Sequence, residues 1–294
     1  MARIVLIGPG AIGGTAAGAL LQAGKHNLLI CANQRFDTLT VTRSDTGRGQ
    51  SWPVKVVTKP AEVAPVDWVL LAVKSNQTDG TGDWLKAAVG PNTKLAILQN
   101  GVEHRARVAA FVPAGTAIVP VVVQLPAQRI SPGAVTTYGQ TLLIVGDDPA
   151  AREFAALFDG SSMKVQTDHD FHTREWEKLC LNAASALSTL SMNPDAVATV
   201  PGMRDVCKGI VDECTAVGRA DGAKFADGFG ENLVAMLAAR TGSQGNSMFY
   251  DRRDGKKLEW DARNGVIARL GRKYGIATPV SDIVTALLRG LSKD

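Results

Sequence analysis

The chain has 294 residues, of which 45% are hydrophobic and 20% charged, and its formal net charge is +4. This apolar fraction excludes a disordered chain, and the longest apolar stretches are too short to span a membrane. The length accommodates one large domain or two domains of roughly 100 to 200 residues each. The N-terminal residues run into a glycine cluster rather than a signal-peptide cleavage site, which indicates a soluble, cytoplasmic protein.

The mild positive charge identifies no partner by itself. The densest basic cluster, from Arg252 to Lys257, is interleaved with acidic residues, which disfavours nucleic acid and favours an anionic small molecule. The four cysteines form no C-x-x-C pair, so we expect buried, reduced thiols. His169 and His172 have no evident third ligand, so no metal site is expected.

The first predicted elements form a dinucleotide-binding motif. A strand over Arg3–Ile7 precedes a glycine-rich turn, a helix over Thr15–Ala23 and a second strand over Leu28–Cys31. The turn reads Gly8-Pro9-Gly10-Ala11-Ile12-Gly13, which is the G-x-G-x-x-G pattern in its strand–turn–helix context. Such glycines permit a tight bend, the approach of a pyrophosphate to the backbone, and close packing of helix on strand. An ordinary glycine loop is the alternative.

The end of the second strand distinguishes between the two nicotinamide dinucleotides. NAD sites usually place an Asp or Glu there to bind the ribose 2′-hydroxyl. Here Asn33 and Arg35 follow the strand, and no acid occurs before Asp37. An amide and a guanidinium suit a 2′-phosphate, so NADP is favoured over NAD. The alternative is that Arg35 is a solvated surface charge.

Further strands are predicted at Trp68–Val73 and Leu95–Leu98, followed by Lys74 and Asn100. Ligands of doubly wound sheets bind outside the carboxyl ends of the strands, so both side chains are expected near the cofactor. As isolated residues they would more often be turn residues. The strand signals continue at Ile118–Leu125 and Thr141–Val145, which are the last clear ones before the pattern changes.

The helical pattern that follows predicts a second domain. We expect an α/β chain with an N-terminal Rossmann-type doubly wound domain over residues 1–167 and a C-terminal all-α domain over 168–294. A helix is predicted over Phe171–Met192 with a break near Ser188, and another over Val280–Leu291. Lys178 and Asn182, four residues apart, share a helix face. Apolar neighbours suggest that Lys178 is partly buried, which would lower its pKa, although a solvated lysine is the simpler alternative.

Several motifs of the chain occur together in one enzyme family. They are the glycine turn, Lys74, Asn100-Gly101, Gly133 in a Pro-Gly-x-Val segment leading to Gly146, Trp176-x-Lys178-x-x-x-Asn182, Asn246-Ser247-Met248-x-x-Asp251, and Leu258-Glu259-x-Asp261-x-x-Asn264-Gly265. On these residues the chain resembles the ketopantoate reductases (2-dehydropantoate 2-reductases) over essentially its whole length. The resemblance implies reduction of a 2-keto acid by NADPH without a metal, with ketopantoate converted to pantoate in pantothenate and coenzyme A biosynthesis.

The resemblance also implies roles for individual residues. Lys178 would polarise and protonate the keto oxygen, and Glu259 would bind the substrate hydroxyl or hold Lys178 in place. Asn182 and Ser247 would bind the substrate, while Lys74 and Asn100 would contact the cofactor and the substrate edge of the cleft. The alternatives are that Ser247 is a helix cap and that Glu259 pairs with a nearby lysine. Helical domains of this kind often pair, so a homodimer is left open.

One departure from the family pattern concerns the substrate. The family usually has a second Asn within the helix, where this chain has Ala186, and Ser185 or Ser188 would have to replace that amide. A lost hydrogen-bond partner costs about 1 to 3 kcal/mol, which is enough to change the preferred keto acid. The alternatives are therefore a reductase of the same fold for another keto acid and a non-catalytic NADP-binding sensor.

Overall fold

The structure is a computed structural model that describes residues 1–242 and 244–292. Its strands are β1 (Arg3–Ile7), β2 (Asn27–Cys31), β3 (Thr38–Arg43), β4 (Gly49–Pro53), β5 (Lys55–Val57), β6 (Trp68–Leu71), β7 (Lys94–Ile97), β8 (Ala117–Pro120), β9 (Val122–Gln124), β10 (Ala127–Ser131), β11 (Ala134–Thr137), β12 (Leu142–Val145) and β13 (Lys164–Thr167). Its helices are α1 (Ala11–Ala23), α2 (Gly82–Ala88), α3 (His104–Val108), α4 (Pro149–Ala156), α5 (Phe171–Ala184), α6 (Ala186–Ser191), α7 (Ala196–Thr199), α8 (Met203–Ala220), α9 (Phe229–Ala238), α10 (Ser247–Arg253), α11 (Val266–Tyr274) and α12 (Pro279–Leu291).

The chain folds into two compact units. The first comprises Met1–Gln99 and His104–Phe171, and the second comprises Asn100–Glu103 and the chain from His172 onward. The short segment Asn100–Glu103 thus belongs to the helical unit although its neighbours in sequence belong to the first. The units are described separately below.

The first unit is built on a six-stranded sheet in the order β5-β2-β1-β6-β7-β8, in which every neighbouring pair is parallel. Counted along the chain this is the order 3-2-1-4-5-6, the arrangement of dinucleotide-binding sheets. The strand order reverses between β1 and β6, and ligands bind at such a reversal. The predicted Rossmann-type N-terminal fold is confirmed.

Both faces of this sheet are buried, which explains why its strands are continuously apolar. In β1, Ile4 and Leu6 contribute to the core on one face, whereas Val5 and Ile7 contribute to the core on the other. Alternate side chains of a strand point to opposite faces, so each apolar residue has a core to enter. Leu85 of α2 is fully buried in the second of these cores.

Two smaller sheets complete the first unit, in the orders β10-β11-β3-β4 and β13-β12-β9. The predicted strand over Ile118–Leu125 is two strands, β8 and β9, which belong to different sheets. Helix α1 packs against the four-stranded sheet through its glycines: a Cβ on Gly14 would lie 2.8 Å from Val135 Cγ1, and one on Gly18 would lie 2.5 Å from Val41 Cγ2.

The second unit is helical, as predicted, and contains α5 to α12 around one apolar core. Trp176, Ile210 and Leu288 are completely buried within it. The predicted helix over Phe171–Met192 is found as α5 and α6, which meet at Ser185 rather than near Ser188. The four cysteines of the chain are buried, free thiols. Within the described residues, no helix combines the length and the hydropathy needed to cross a membrane.

Candidate active site

The glycine-rich turn between β1 and α1 has a different steric reason for each glycine. Gly8 has φ of +92°, and a Cβ there would lie 2.5 Å from Val73 Cγ1. A Cβ on Gly13 would lie 2.2 Å from the Gly8 carbonyl oxygen, so only glycine lets α1 begin this close to the strand. A Cβ on Gly10, in contrast, would meet no described atom within 4 Å. The space at Gly10 is therefore open to a ligand.

The beginning of α1 offers backbone N–H groups to that space. Gly10 is the N-cap residue, and among the described residues no side chain caps the helix. The first turn of α1 contains no acidic residue. The N–H groups that start a helix have no intrahelical partner and attract anions such as a pyrophosphate. Pro9, Ala11 and Ile12 are half-buried, so the backbone of the turn is accessible.

Arg35, the residue expected at a 2′-phosphate, is paired with a carboxylate. Its Nη2 donates a hydrogen bond to Glu62 Oε1 at 2.8 Å, and its side chain remains largely exposed. The backbone N–H groups of Thr58 and Lys59 donate to Glu62, and with the charge of Arg35 they lower the pKa of that carboxyl. Asn33 is exposed. Sequence reasoning missed Glu62, which follows β5, the neighbour of β2 in the sheet.

Lys74 follows β6, the strand beside the reversal of strand order. It precedes a short 3-10 turn, Ser75–Gln77, and is half-buried. The loop is held by Gln99, whose Nε2 donates to the Val73 carbonyl and to Thr78 Oγ1, each at 3.0 Å. Gln99 is buried and was not recognised from the sequence, because an amide after a strand usually indicates a turn.

In the second unit, Lys178 lies on α5, two residues after Trp176, which anchors the helix. Trp176 Nε1 donates a hydrogen bond to Asp221 Oδ2 at 3.0 Å, which ties α5 to the end of α8. Lys178 is half-buried, as the sequence predicts. Burial, with a smaller effect from the charge of Arg263, lowers the pKa of Lys178 from 10.5 to about 8. An amine of this pKa is charged at neutral pH and still able to release its proton.

Two of the predicted substrate-binding residues are in direct contact. Asn182 Nδ2 donates to Asn100 Oδ1 at 3.2 Å. Asn100 is held in the helical unit by its own segment, because Glu103 accepts two hydrogen bonds from Arg269 at 3.1 and 2.5 Å. Gly101 has φ of +117°, a backbone conformation that favours glycine.

Ser247 and Glu259 are brought towards α5 by a residue that the sequence reading did not single out. Arg263 donates from Nη2 to the Asn182 carbonyl at 2.9 Å and from Nη1 to Ser247 Oγ at 3.4 Å. Glu259 is buried, and its charge and that of Asp251 act on the Arg263 guanidinium. Ser247 begins α10 but is not its cap: Asn246 accepts from the N–H groups that follow it.

Ala186 occupies the position of the expected second amide and is fully buried. The neighbouring hydroxyls are used within the helices, since Ser185 Oγ donates to the Leu181 carbonyl at 2.6 Å and Ser188 Oγ donates to the Ser185 carbonyl at 2.8 Å. Ser188 Oγ also accepts from Asn246 Nδ2 at 2.9 Å. Neither serine takes the place of a free amide at this position.

The two histidines considered as metal ligands, His169 and His172, have structural partners. His169 Nδ1 lies 2.8 Å from Asp147 Oδ2 in the first unit, and His172 lies beside Asp221 and Glu175 in the second. Within residues 1–242 and 244–292, no group of three or more His, Cys, Asp or Glu side chains is placed to hold a metal ion.

A 3-2-1-4-5-6 parallel sheet with an open glycine turn, together with a helical unit that carries a lysine of lowered pKa, defines a Rossmann-type dinucleotide-binding protein with a candidate active site. Residues 4–149 match the profile of "Ketopantoate reductase PanE/ApbA", and residues 170–292 match that of its C-terminal part. The chain belongs to the ketopantoate reductase family, and its cofactor is a nicotinamide dinucleotide.

Individual relatives cover the whole chain. The sequence is 42% identical over 290 residues to the 2-dehydropantoate 2-reductase of Caulobacter vibrioides, covering 98% of each chain. The crystal structure of a PanE/ApbA family ketopantoate reductase from Ralstonia eutropha is similar with a TM-score of 0.89 and 27% identity over 98% of both chains. The ternary structure of D-mandelate dehydrogenase with NADH and anilino(oxo)acetate has a TM-score of 0.86 at 22% identity, with 98% and 97% coverage, and shares the fold.

Proposed function

We propose that this protein reduces a 2-keto acid to the 2-hydroxy acid with NADPH, and that its substrate is 2-dehydropantoate, which yields pantoate for pantothenate and coenzyme A biosynthesis. The reaction consumes one keto acid, one NADPH and one proton, and it releases the hydroxy acid and NADP⁺. The observation that carries the proposal is Lys178, a half-buried lysine whose pKa is lowered to about 8 on the helix that also presents Asn182.

Lys178 is the proton donor in this proposal. The reduced nicotinamide supplies the hydride, which leaves negative charge on the substrate oxygen. The Lys178 ammonium polarises the keto group and then gives its proton to that oxygen. A pKa near 8 suits this task, because most of the lysine is protonated at neutral pH while its proton is less tightly held than in a solvated lysine.

The polar residues around Lys178 bind and orient the keto acid. Asn182 and Asn100, already hydrogen-bonded to each other, offer amide groups to the substrate's oxygen atoms. Ser247 has an exposed side chain and binds the carboxylate, whereas the buried Glu259 binds the substrate hydroxyl or holds Lys178. Ketopantoate is a chemically reasonable substrate because it carries all three groups: a keto oxygen, a carboxylate and a hydroxyl.

The residues of the first unit fit a dinucleotide. The open space at Gly10 and the uncapped N–H groups of α1 accommodate a pyrophosphate. Arg35 and Asn33 favour NADP over NAD, since the exposed Arg35 guanidinium, which pairs with Glu62, has further N–H groups to donate to a 2′-phosphate and Asn33 carries no charge that would repel it. Lys74 contributes a further positive charge near the reversal of strand order, where it contacts the cofactor, and Asn100 contacts both cofactor and substrate.

The test is the consumption of NADPH with a panel of 2-keto acids that includes ketopantoate. We expect oxidation of NADPH with ketopantoate as the preferred member. If other keto acids are reduced and ketopantoate is not, the apolar position Ala186 has changed the substrate and the specific assignment fails. Tight binding of NADPH without turnover of any member would favour the NADP-binding sensor instead.

We also propose that the protein forms a homodimer through α12. Three apolar side chains at four-residue spacing, Ile283, Leu287 and Leu291, are 62%, 53% and 38% exposed. Residues at this spacing share one side of a helix, and an exposed apolar stripe favours association. Light scattering should give a dimer for the wild-type protein and a monomer for Leu287→Glu. A wild-type monomer would refute the homodimer.

A further inference from the structure

Arg263 occupies an unusual position in the helical unit. It lies in a π-helical turn, Asp261–Gly265, and only 1% of its surface is exposed. Its two terminal nitrogens donate to different elements, Nη2 to the Asn182 carbonyl on α5 and Nη1 to Ser247 Oγ on α10. One guanidinium therefore joins two of the residues proposed to bind the keto acid. Single π-helical turns inside helices occur frequently at functional sites.

The burial of this cation is costly for folding. An arginine stays charged in proteins, and removing its charge from water is unfavourable unless it is paired and hydrogen-bonded. Glu259 and Asp251, both buried, supply the opposite charge, but Arg263 Nε has no hydrogen-bond partner among the described residues. A buried guanidinium with an unsatisfied N–H contributes little net stability, so its position beside the proposed binding residues points to a functional role.

We propose that Arg263 is a positioning residue for the substrate carboxylate: by donating to Ser247 Oγ, it turns the Ser247 hydroxyl proton towards the carboxylate of the 2-keto acid. A hydroxyl has one hydrogen to donate and two lone pairs that accept. When one lone pair faces a guanidinium, the O–H points away from that cation. The inference rests on the proposed function, because it assumes that Ser247 binds the carboxylate.

Ser247 and Arg263 have different roles because they differ in exposure. Ser247 is exposed and therefore accessible to a substrate, whereas Arg263 is buried behind it and acts through the hydroxyl rather than by contact. A positive charge in this second position strengthens the hydroxyl as a donor to an anion. The same positive charge strengthens the hydroxyl much less as a donor to a neutral acceptor. Arg263 thus selects a free carboxylate over an uncharged ester or amide of the same keto compound.

The experiment compares a 2-keto acid that the enzyme reduces with the methyl ester of the same keto acid, at saturating NADPH. In Arg263→Met we expect KM for the acid to rise about tenfold or more, the effect of losing a charge-assisted hydrogen bond, while KM for the ester changes less than about twofold. Arg263→Lys keeps the charge, so it should raise KM for the acid less than Met does. Ser247→Ala should raise KM for the acid similarly, and adding Arg263→Met to it should give no further increase.

The matched control is Arg272→Met. Arg272 lies on α11, is 69% exposed in its side chain and pairs with Asp282, so its replacement should leave both KM values unchanged. Equal changes for acid and ester in the Arg263 variants, or independent effects of Arg263 and Ser247, would overturn the inference. If Arg263→Met does not fold, KM is compared for acid and ester in Arg263→Lys instead. A rise for the acid alone supports the inference, and equal changes for both overturn it. A wild-type protein that reduces no keto acid would instead refute the proposed function.

Discussion

The protonation of a single side chain, Lys178, controls the proposed chemistry. Burial and the charge of Arg263 lower the pKa of Lys178 to about 8, and only its ammonium form can give a proton to the substrate oxygen. We therefore expect kcat/KM to decrease as the pH rises through about 8. A pH profile of the wild-type enzyme measures this directly, and a constant kcat/KM from neutral to mildly alkaline pH would contradict the role of Lys178.

The variant Lys178→Ala tests whether Lys178 is the proton donor. Removing a general acid typically costs about 10² to 10⁴-fold in rate, so turnover should be nearly abolished. NADPH affinity, measured by fluorescence titration, should persist because the glycine turn is unchanged. Lys208→Ala is the control, since Lys208 is an exposed residue of α8 paired with Asp212. Full turnover in Lys178→Ala would show that another group donates the proton.

Arg35 is predicted to determine the choice between NADPH and NADH. Arg35→Ala removes the guanidinium proposed to bind the 2′-phosphate, so NADPH affinity should fall by about tenfold or more while NADH affinity remains nearly the same. Arg43→Ala provides the comparison, because Arg43 is an equally exposed arginine paired with Asp45 on a different sheet. Equal losses of affinity for NADPH and NADH in Arg35→Ala would show that Arg35 does not bind the 2′-phosphate.

At the level of elements, substitutions at two glycines of the turn before α1 test cofactor binding and folding separately. Gly10→Ala places a methyl group in open space, so thermal stability should be almost unchanged while NADPH binding is lost. Gly13→Ala places it 2.2 Å from the Gly8 carbonyl, so α1 must shift and stability should fall by about 1 to 3 kcal/mol. Thermal unfolding and NADPH titration of both variants test the pair, and retention of binding in Gly10→Ala would count against a pyrophosphate there.

His172, at the start of α5, should make the free energy of unfolding depend on pH. The interaction with Glu175, followed by the carbonyl and charge of Asp221, raises the pKa of His172. A raised pKa stabilises the fold fully below the unfolded value of about 6.5, and this stabilisation is lost as the pH rises through the folded pKa.

Urea unfolding measures this contribution. Between about pH 6 and pH 8 the free energy of unfolding should fall more in the wild type than in His172→Gln, by less than about 1 kcal/mol because the pair is partly exposed. Equal slopes in the two proteins would show that His172 is not a stabilising group.

The elements with strong apolar signals were predictable from the sequence. Strand β1 was predicted with its observed bounds, and α12 to within one residue. Strand β3 alternates threonines with Leu39 and Val41, a period-two strand signal that was overlooked, whereas β4 is mostly polar, with Gly and Pro at its ends, and carries no clear signal. The segment Ile118–Leu125 divides directly after Pro120, a residue that commonly ends a strand, but the sheet that each half joins depends on tertiary pairing.

The candidate site was predictable only where residues form spaced motifs. Lys178 and Asn182 share a face of α5 because of their four-residue spacing. Arg263 and Glu62 carry no comparable signal, since a charged residue in a polar segment usually indicates solvent exposure. The importance of Arg263 arises from its burial, and that of both residues from partners distant in sequence, which only the folded structure provides.

For the molecule as a whole, the two units carry different parts of the proposed chemistry. The first contains the glycine turn, Arg35 and Lys74, whereas the second contains Lys178, Asn182 and the residues around them. The family assignment covers both, since its two profiles together match residues 4–149 and 170–292. A single reaction that uses both units, the transfer of hydride from NADPH with protonation by Lys178, is therefore the central claim.

The most direct test of that claim follows the hydride itself. NADPH deuterated at both C4 positions of the nicotinamide is incubated with ketopantoate and the wild-type protein, and the product is examined by mass spectrometry and NMR. The account predicts pantoate that carries one deuterium on C2, formed in equal amount to NADP⁺. Recovery of unchanged ketopantoate from an NADPH-bound protein, or pantoate without deuterium, would contradict it.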